Sequence, residues 1–431
     1  MGLLIKNATI LTMDSDKPEF LEANLGVKGN RIVFIGDIPD TFKAVTEIDG
    51  TGKVILPGLI NSHSHIAMSL MRHYADDLPF WTWLNDRIMP LEHKLTGPDI
   101  YAGSMLSIAE MIRSGITTFA DMYFFVDEIA QAVSQTGMRA NLSRGLVFNS
   151  PEDISKIDEA MELYHKWNNS DNGRIKIDLG PHAPYTCGPE YLKKISKIAG
   201  NLDIGIHIHI SESRREVEEI YSLYKKSPVE YVRDCGIFEQ RTYAAHCVKV
   251  SDDDIAILAN NKVSVINNPG SNLKFGNGFA PVSKMLDAGI NVSLGTDGPA
   301  SNNNLNMFEE MNLTALVNKA ADHSPTSVPA YTALQMATIN GAKALGIDNE
   351  VGTVTVGKKA DLILVDMEKP HFYPKLDIVS SLIYSAQASD VCTVICDGRL
   401  LMRDRELLTL DEMKVCTEAD DAARKLINKH K

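Results

Sequence analysis

The sequence predicts an α/β protein: a (β/α)8 TIM barrel with a small discontinuous β-sandwich domain built from both termini. Three observations predict it. The middle of the chain alternates strand-like and helix-like stretches, while both ends are strand-rich. Eight strand candidates can be counted in the middle. Chemically capable side chains gather at the C-terminal ends of several of them, where barrels of this class build their sites.

The chain has 431 residues, more than one hydrophobic core of ordinary size serves. Residues 1–56 and 350–431 are assigned to the sandwich domain and 57–349 to the barrel. Leu3–Thr12, Leu25–Gly36 (interrupted by a Gly-Asn turn) and Lys53–Leu56 read as strands. Gly352–Gly357, Asp361–Asp366 and Val391–Cys396 read the same way, with Asp397-Gly398 as a hairpin turn. The barrel strands are expected at Leu59–Ile66, Thr117–Met122, Arg139–Leu146, Arg174–Gly180, Ile204–Ile210, Thr242–His246, Val263–Asn267 and Asn291–Gly295. Helical runs such as Tyr101–Ser114, Pro189–Ala199, Glu216–Tyr224 and Asp252–Ala259 lie between them. Gly115, Gly137, Gly236 and Gly289 stand where helix C-caps would. Glu418–Lys431 reads as a charged amphipathic helix.

Composition narrows the function classes. A formal net charge of −13 argues against nucleic acid or an anionic membrane as partner. No apolar run reaches membrane-spanning length, and the N-terminus lacks the pattern of a signal peptide. Six cysteines in so long a chain do not make a disulfide scaffold. Cys392 and Cys396 read as buried apolar residues in a strand, and a cytoplasmic location is expected. The sequon at Asn7 is then fortuitous. A homo-oligomer is compatible with the sequence, which does not fix subunit number.

His63-Ser-His65 ends the first barrel strand. Side chains two apart share a strand face, so both imidazoles can point into the barrel mouth. His207-Ile-His209 ends the fifth. His209 lies nearer the mouth and is the better ligand, whereas His207 reads as a satisfied histidine one layer down. Glu212 follows just past that strand, His246 ends the sixth and Asp297 follows the eighth. Each alone is ordinary: a core histidine, a helix-start acid, a turn aspartate. Together they concentrate at one end of the barrel. His63, His65, His209 and Asp297 form a nitrogen/oxygen ligand set suited to zinc or ferrous iron. Such a cation lowers the pKa of a bound water. Glu212 is then expected to move the proton, His246 to hold or polarise the water and Asp297 to orient it.

These residues resemble the amidohydrolase superfamily, in its branch of mononuclear aminohydrolases and triazine-type chlorohydrolases. Four segments carry the likeness, which covers nearly the whole chain: Leu56-Pro-Gly-Leu-Ile-Asn-Ser-His-Ser-His65, His209-Ile-Ser-Glu212, Leu294-Gly-Thr-Asp-Gly-Pro-Ala-Ser-Asn302 and Gly357-Lys-Lys-Ala-Asp-Leu-Ile-Leu364. The fourth strand ends Leu179-Gly-Pro-His-Ala-Pro184, without the lysine that binuclear relatives carboxylate, so one divalent metal per subunit is implied. Within the branch, Trp81–Glu92, Arg139–Gly145, Gly180–Tyr185 and Ser271–Lys274 are similar to deaminases of 5′-methylthioadenosine and S-adenosylhomocysteine. The resemblance implies a small nucleoside substrate. Glu92 would bind the ribose diol, Arg144 would lie by the 5′-substituent, His182 would hydrogen-bond the purine and Trp83 would pack on the adenosine.

Two departures from the pattern matter. Asn267 stands where relatives often carry histidine. Ser150–Ser155 offers no basic residue where some relatives hold a homocysteine carboxylate, which favours neutral thioether or 5′-deoxyadenosine substrates. The alternative is an aminohydrolase or chlorohydrolase of the same branch acting on guanine, a cytosine-like base or a triazine. A metal-free scaffold is disfavoured because every expected ligand is present.

Overall fold

The computed structural model describes residues 2–148 and 155–428. The N-terminal part supplies β1 (Gly2–Leu11), β2 (Phe20–Lys28), β3 (Arg31–Gly36), β4 (Thr46–Asp49) and β5 (Lys53–Pro57). Eight strands follow: β6 (Leu59–Ser64), β7 (Ile116–Tyr123), β8 (Arg139–Leu146), β9 (Ile175–Pro181), β10 (Ile206–Ile210), β11 (Thr242–His246), β12 (Ser264–Asn267) and β13 (Val292–Leu294). The C-terminal part adds β14 (Leu362–Asp366), β15 (Val391–Cys396), β16 (Arg399–Arg403) and β17 (Glu406–Leu407).

Strands β6 to β13 pair in sequence order as a parallel sheet. At the seam between its ends, Asn61 Nδ2 donates to Thr296 Oγ1 at 2.7 Å and the Thr296 amide donates to Asn61 Oδ1 at 2.9 Å. The Asp297 amide reaches the His63 carbonyl at 3.0 Å. The seam therefore ties the two chain segments that carry three of the expected metal ligands. The connecting helices follow the expected runs within a few residues, for example Pro189–Leu202 and Arg214–Tyr224. Gly115, Gly137, Gly236 and Gly289 all have left-handed backbone at the turn leaving a helix (φ 88°, 90°, 81° and 79°), which glycine adopts without a Cβ penalty.

The other nine strands form a separate sheet in the order β17-β16-β15-β14-β5-β1-β2-β3, with β4 also on β1. Strand β5 joins its two halves, running parallel to β1 and antiparallel to β14. Alternation assigns the faces. Leu362 and Leu364 face a small core with Ile5, Leu25, Val27 and Ile55, while Ile363 and Val365 face the main core shared with the barrel. Each such fully buried side chain contributes about 1.5–3 kcal/mol.

Some elements differ from expectation. Gly352–Gly357 is not a strand: Gly352 and Gly357 both turn left-handed (φ 91° and 94°), which breaks the extension at each end. The segment keeps single bonds, Val354 N to Thr12 O and Gly357 N to Ile32 O, both 2.8 Å. Strand β4 went unforeseen because Ile48 is its one apolar buried residue. The C-terminal helix starts earlier, at Glu412. It buries Val415, Ala419 and Leu426, and Arg113 Nε donates to Glu412 Oε1 at 2.8 Å.

A buried ion pair links barrel and sheet. Arg139 of β8 donates to Asp361 through Nε (2.8 Å) and Nη2 (3.0 Å), and the Asp397 amide donates to Asp361 Oδ1 at 2.7 Å. Both side chains of the pair are under 5% exposed. Removing one partner strands a charge, so Asp361→Ala is expected to cost about 3–5 kcal/mol. Urea unfolding would register this, and an unchanged midpoint would contradict the account.

Candidate active site

Positions two apart along β6 and its immediate continuation, and along β10, present His63, His65, His207 and His209 inward. His246 ends β11, and Asp297 stands three residues past β13. The chain leaves these strands through left-handed backbone at Ser211 (φ 53°), His246 (74°) and Asp297 (61°). Non-glycine residues adopt this region rarely, and such strain concentrates at functional sites. Gly295 lets the last segment approach: a Cβ there would lie 2.7 Å from His63 Cβ and 2.5 Å from Asn268 Oδ1.

The expected ligands come together. Asp297 Oδ1 lies 3.4 Å from His63 Nε2 and 3.3 Å from His65 Nε2, and His65 Nε2 lies 3.2 Å from His209 Nε2. Two overlapping triads, His63–His209–His246 and His63–His65–Asp297, each bring their ligand atoms within 4.8 Å. His246 thus stands in the cluster, and its Nε2 is also 3.8 Å from Glu212 Oε2.

The outward ring nitrogens fix the tautomers. His65 Nδ1 donates to the Met122 carbonyl at 2.6 Å, and His209 Nδ1 donates to the His182 carbonyl at 2.7 Å. A carbonyl only accepts, so the neutral rings turn Nε2 lone pairs toward each other. Lone pairs 3.2 Å apart repel unless a cation lies between them. Ligands at 2.0–2.1 Å in a tetrahedral shell are about 3.3 Å apart, which matches the spacing found. His63 Nε2 is itself buried with no hydrogen bond among the described residues. The residues present therefore fit a single small divalent cation.

Electrostatics agree. Burial pushes His63 down to about 3 and His209 well below its ordinary value, so both stay neutral ligands. Burial opposes ionisation of Asp297, but the His63 ring beside its Oδ1 and the neighbouring imidazoles outweigh it and hold the carboxyl well below its usual range. Asp297 Oδ2 also accepts from Ser271 Oγ (2.6 Å) and Ser301 Oγ (2.9 Å). Glu212 is the converse. Burial, reinforced by Asp297, pushes it up to about 8, the range in which a carboxyl can both take and give a proton.

Among the expected substrate contacts, His182 adjoins this centre, and Glu92 is linked to it through Tyr123, whose ring lies 6.2 Å from that of His65. Glu92 closes a helical run that widens to an i→i+5 turn over Trp83–Ile88, a device frequent at functional sites. Its Oε1 accepts from Tyr123 OH at 2.6 Å. The His182 ring lies 5.0 Å from that of His209, and His182 Nδ1 is 3.0 Å from Thr186 Oγ1. Arg144 is paired: its Nε donates to Glu159 Oε2 at 2.9 Å and its Nη1 to the Gly145 carbonyl at 2.6 Å. Trp83 is 5% exposed and packs on Phe275 and Phe80 at 4.7 and 6.0 Å. It stands in the core, and its indole N–H has no partner among the described residues. Asn267 donates to Thr314 Oγ1 at 3.0 Å, away from the ligand atoms. Residues 150–154 of the Ser150–Ser155 segment lie outside the described residues.

Several supporting residues escaped the sequence reading. Glu216 accepts the amides of Ser211 (2.8 Å) and Glu212 (2.9 Å), anchoring the turn that presents Glu212. Asp121 Oδ1 accepts the Ile66 amide at 2.7 Å and holds the turn after His65. Asn272 Oδ1 accepts from His246 Nδ1 at 2.9 Å. Each is a polar residue in an ordinary motif position, and only the fold shows what it touches.

Comparison with known proteins agrees with this geometry. The chain is 51% identical, over the full length of both chains, to a 5-methylthioadenosine/S-adenosylhomocysteine deaminase of Thermoanaerobacter pseudethanolicus. It is 48% identical, over 99% of its length and 98% of the relative's, to a 5'-deoxyadenosine deaminase of Methanosarcina mazei. Among solved structures it superposes on a zinc-bound adenosine deaminase of Xanthomonas campestris with a TM-score of 0.94 and 32% identity, covering 99% and 98% of the two chains. The profile of the Amidohydrolase family matches residues 54–401, a stretch that includes every histidine and carboxylate of the centre, and the chain belongs to that family.

Proposed function

We propose that the protein hydrolytically deaminates 5′-modified adenosines (5′-methylthioadenosine, S-adenosylhomocysteine, 5′-deoxyadenosine and adenosine), yielding the inosine analogue and ammonia. One observation carries the reading. Inward-facing imidazole nitrogens and the Asp297 carboxylate converge on a point beside Glu212, a carboxyl raised to about 8. Relatives named as deaminases of these compounds, about half identical throughout, support the substrate class.

In this reading His63, His65, His209 and Asp297 hold one divalent cation, zinc or iron. When bound, the cation supplies Lewis acidity that makes a water nucleophilic near neutral pH. Glu212 takes a proton from that water and delivers it to the purine ring; the water's second proton, from the hydroxyl added to the ring, then passes to the departing amine through the same carboxylate. A C–O bond forms at the carbon that carried the amino group, the C–N bond breaks, and ammonia leaves. His246 Nε2, close to Glu212, orients the water. His182 binds the purine: Thr186 Oγ1 donates to the Ala183 carbonyl at 3.1 Å, so His182 Nδ1 is the donor to Thr186 and Nε2 stays free to accept. Glu92 keeps one oxygen beyond its Tyr123 bond for the ribose diol. Arg144 borders the 5′-substituent, and Trp83 backs the adenosine pocket as part of its aromatic wall.

The fold-level assignments belong to the same proposal. Residues 1–56 and 350–431 are read as one domain and 57–349 as the other, and the compartment as the cytoplasm. Among the described residues no helix is long and apolar enough to cross a membrane.

Ammonia release from a panel of these four nucleosides tests the function, and no release from any of them by zinc-loaded protein refutes it. Glu92→Gln separates nucleoside from free-base chemistry. Losing a charged acceptor costs about 1.5–3 kcal/mol, so kcat/KM for nucleosides should fall about 10–100-fold while a free base is little affected. Equal losses on both favour the alternative, a guanine, cytosine-like or triazine aminohydrolase or chlorohydrolase.

A further inference from the structure

We propose that Ser143 and His207 form a one-way hydrogen-bond chain that holds His63 as an Nε2 metal ligand. The inference rests on the metal centre read above and assigns work to a histidine that the centre leaves out.

The direction follows from the far end. Ser143 Oγ lies 2.9 Å from the Asp121 carbonyl, which can only accept, so the hydroxyl proton is committed there. Ser143 Oγ then offers only lone pairs to His207 Nδ1, 3.4 Å away, and that nitrogen must carry the N–H. A neutral imidazole has one N–H, so His207 Nε2 is an acceptor. It lies 2.7 Å from His63 Nδ1, which is therefore the donor. His63 is left with its lone pair on Nε2, the atom 3.4 Å from Asp297 Oδ1.

The surroundings allow no substitute. Ser143, His207 and His63 are at most 1% exposed, which leaves little room for water to take either place. The Tyr243 ring lies 4.5 Å from the His207 ring at 30° and fixes its plane. His65 and His209 achieve the same orientation by donating directly to main-chain carbonyls. His63 has a histidine in that position. His207, two residues before His209 on β10, shares its inward face one layer deeper, where it meets His63. It is a positioning residue and touches no substrate.

Zinc dissociation constants, measured by competition with a chromophoric chelator, test the chain. His207→Phe keeps a ring but removes the acceptor. It should weaken zinc binding about 10–100-fold, as loss of such outer partners does. His207→Gln restores a carbonyl acceptor and should bind zinc more tightly than His207→Phe. Ser143→Ala removes the terminus of the chain and should weaken binding by a smaller factor. Equal affinity in wild type and His207→Phe overturns the proposal. So do equal losses in His207→Phe and His207→Gln, which would mean packing alone. If neither His207 variant melts cooperatively, Ser143→Ala decides, and unchanged affinity there overturns it. Wild-type protein that binds no zinc refutes the metal centre itself, a separate failure.

Discussion

Glu212→Gln should lower kcat by about 10²–10⁴-fold, the range a positioned proton carrier supplies, while zinc content stays at the wild-type level. Glutamine keeps the shape and loses the exchangeable proton. The side chain lies past the end of β10, its Oε2 3.8 Å from His246 Nε2 and its Oε1 3.4 Å from Asn277 Nδ2. The reading gives Glu212 no bond to the cation, so loss of activity without loss of metal separates its role from a ligand's. Glu216 grips its main chain, so the substitution should leave the turn intact. The same variant carries a pH signature in the metal-free protein. The Glu212 carboxyl is raised from about 4.5 to about 8 by burial first and Asp297 second. Its proton-linked stability is fully present below pH 4.5 and lost as pH rises through 8. Relative to wild type, Glu212→Gln should therefore gain stability between pH 5 and pH 8.5 in urea titrations. A stability difference constant across that range would contradict the raised carboxyl.

Asp297→Asn should abolish activity and weaken zinc binding by at least about 100-fold, the upper end of what loss of a mere outer partner costs. The carboxylate supplies the one negative charge among the proposed ligands. Its Oδ2 accepts from both Ser271 and Ser301, and its Oδ1 accepts the Gly298 amide at 2.8 Å. An amide nitrogen in either position would meet donors. Competition titration and metal content after gel filtration would register the change. A variant that keeps one tightly bound zinc would remove Asp297 from the ligand set.

Much of this was legible in the sequence, for identifiable reasons. Strand periodicity with glycine stops located all eight barrel strands within a few residues, because β6 to β13 are short, almost wholly buried runs rich in apolar residues. The spacing of His63 and His65, and of His207 and His209, placed each pair on one face. Long-range pairing was not legible. Nothing local says that His207 of β10 meets His63 of β6, 144 residues away, or that Glu216 reaches back to the Ser211 and Glu212 amides. Gly352–Gly357 misled because its valines and threonines favour strands, while its flanking glycines turn the chain. Trp83 shows the same limit: nothing local says that its ring is set against Phe80 and Phe275.

Anomalous diffraction from crystals of zinc-loaded protein, collected on both sides of the zinc edge, tests the central claim most directly. The expected result is one peak per chain, about 2.0–2.2 Å from His63 Nε2, His65 Nε2, His209 Nε2 and an Asp297 oxygen. No peak there in fully loaded protein, or a peak held by other side chains, would contradict it.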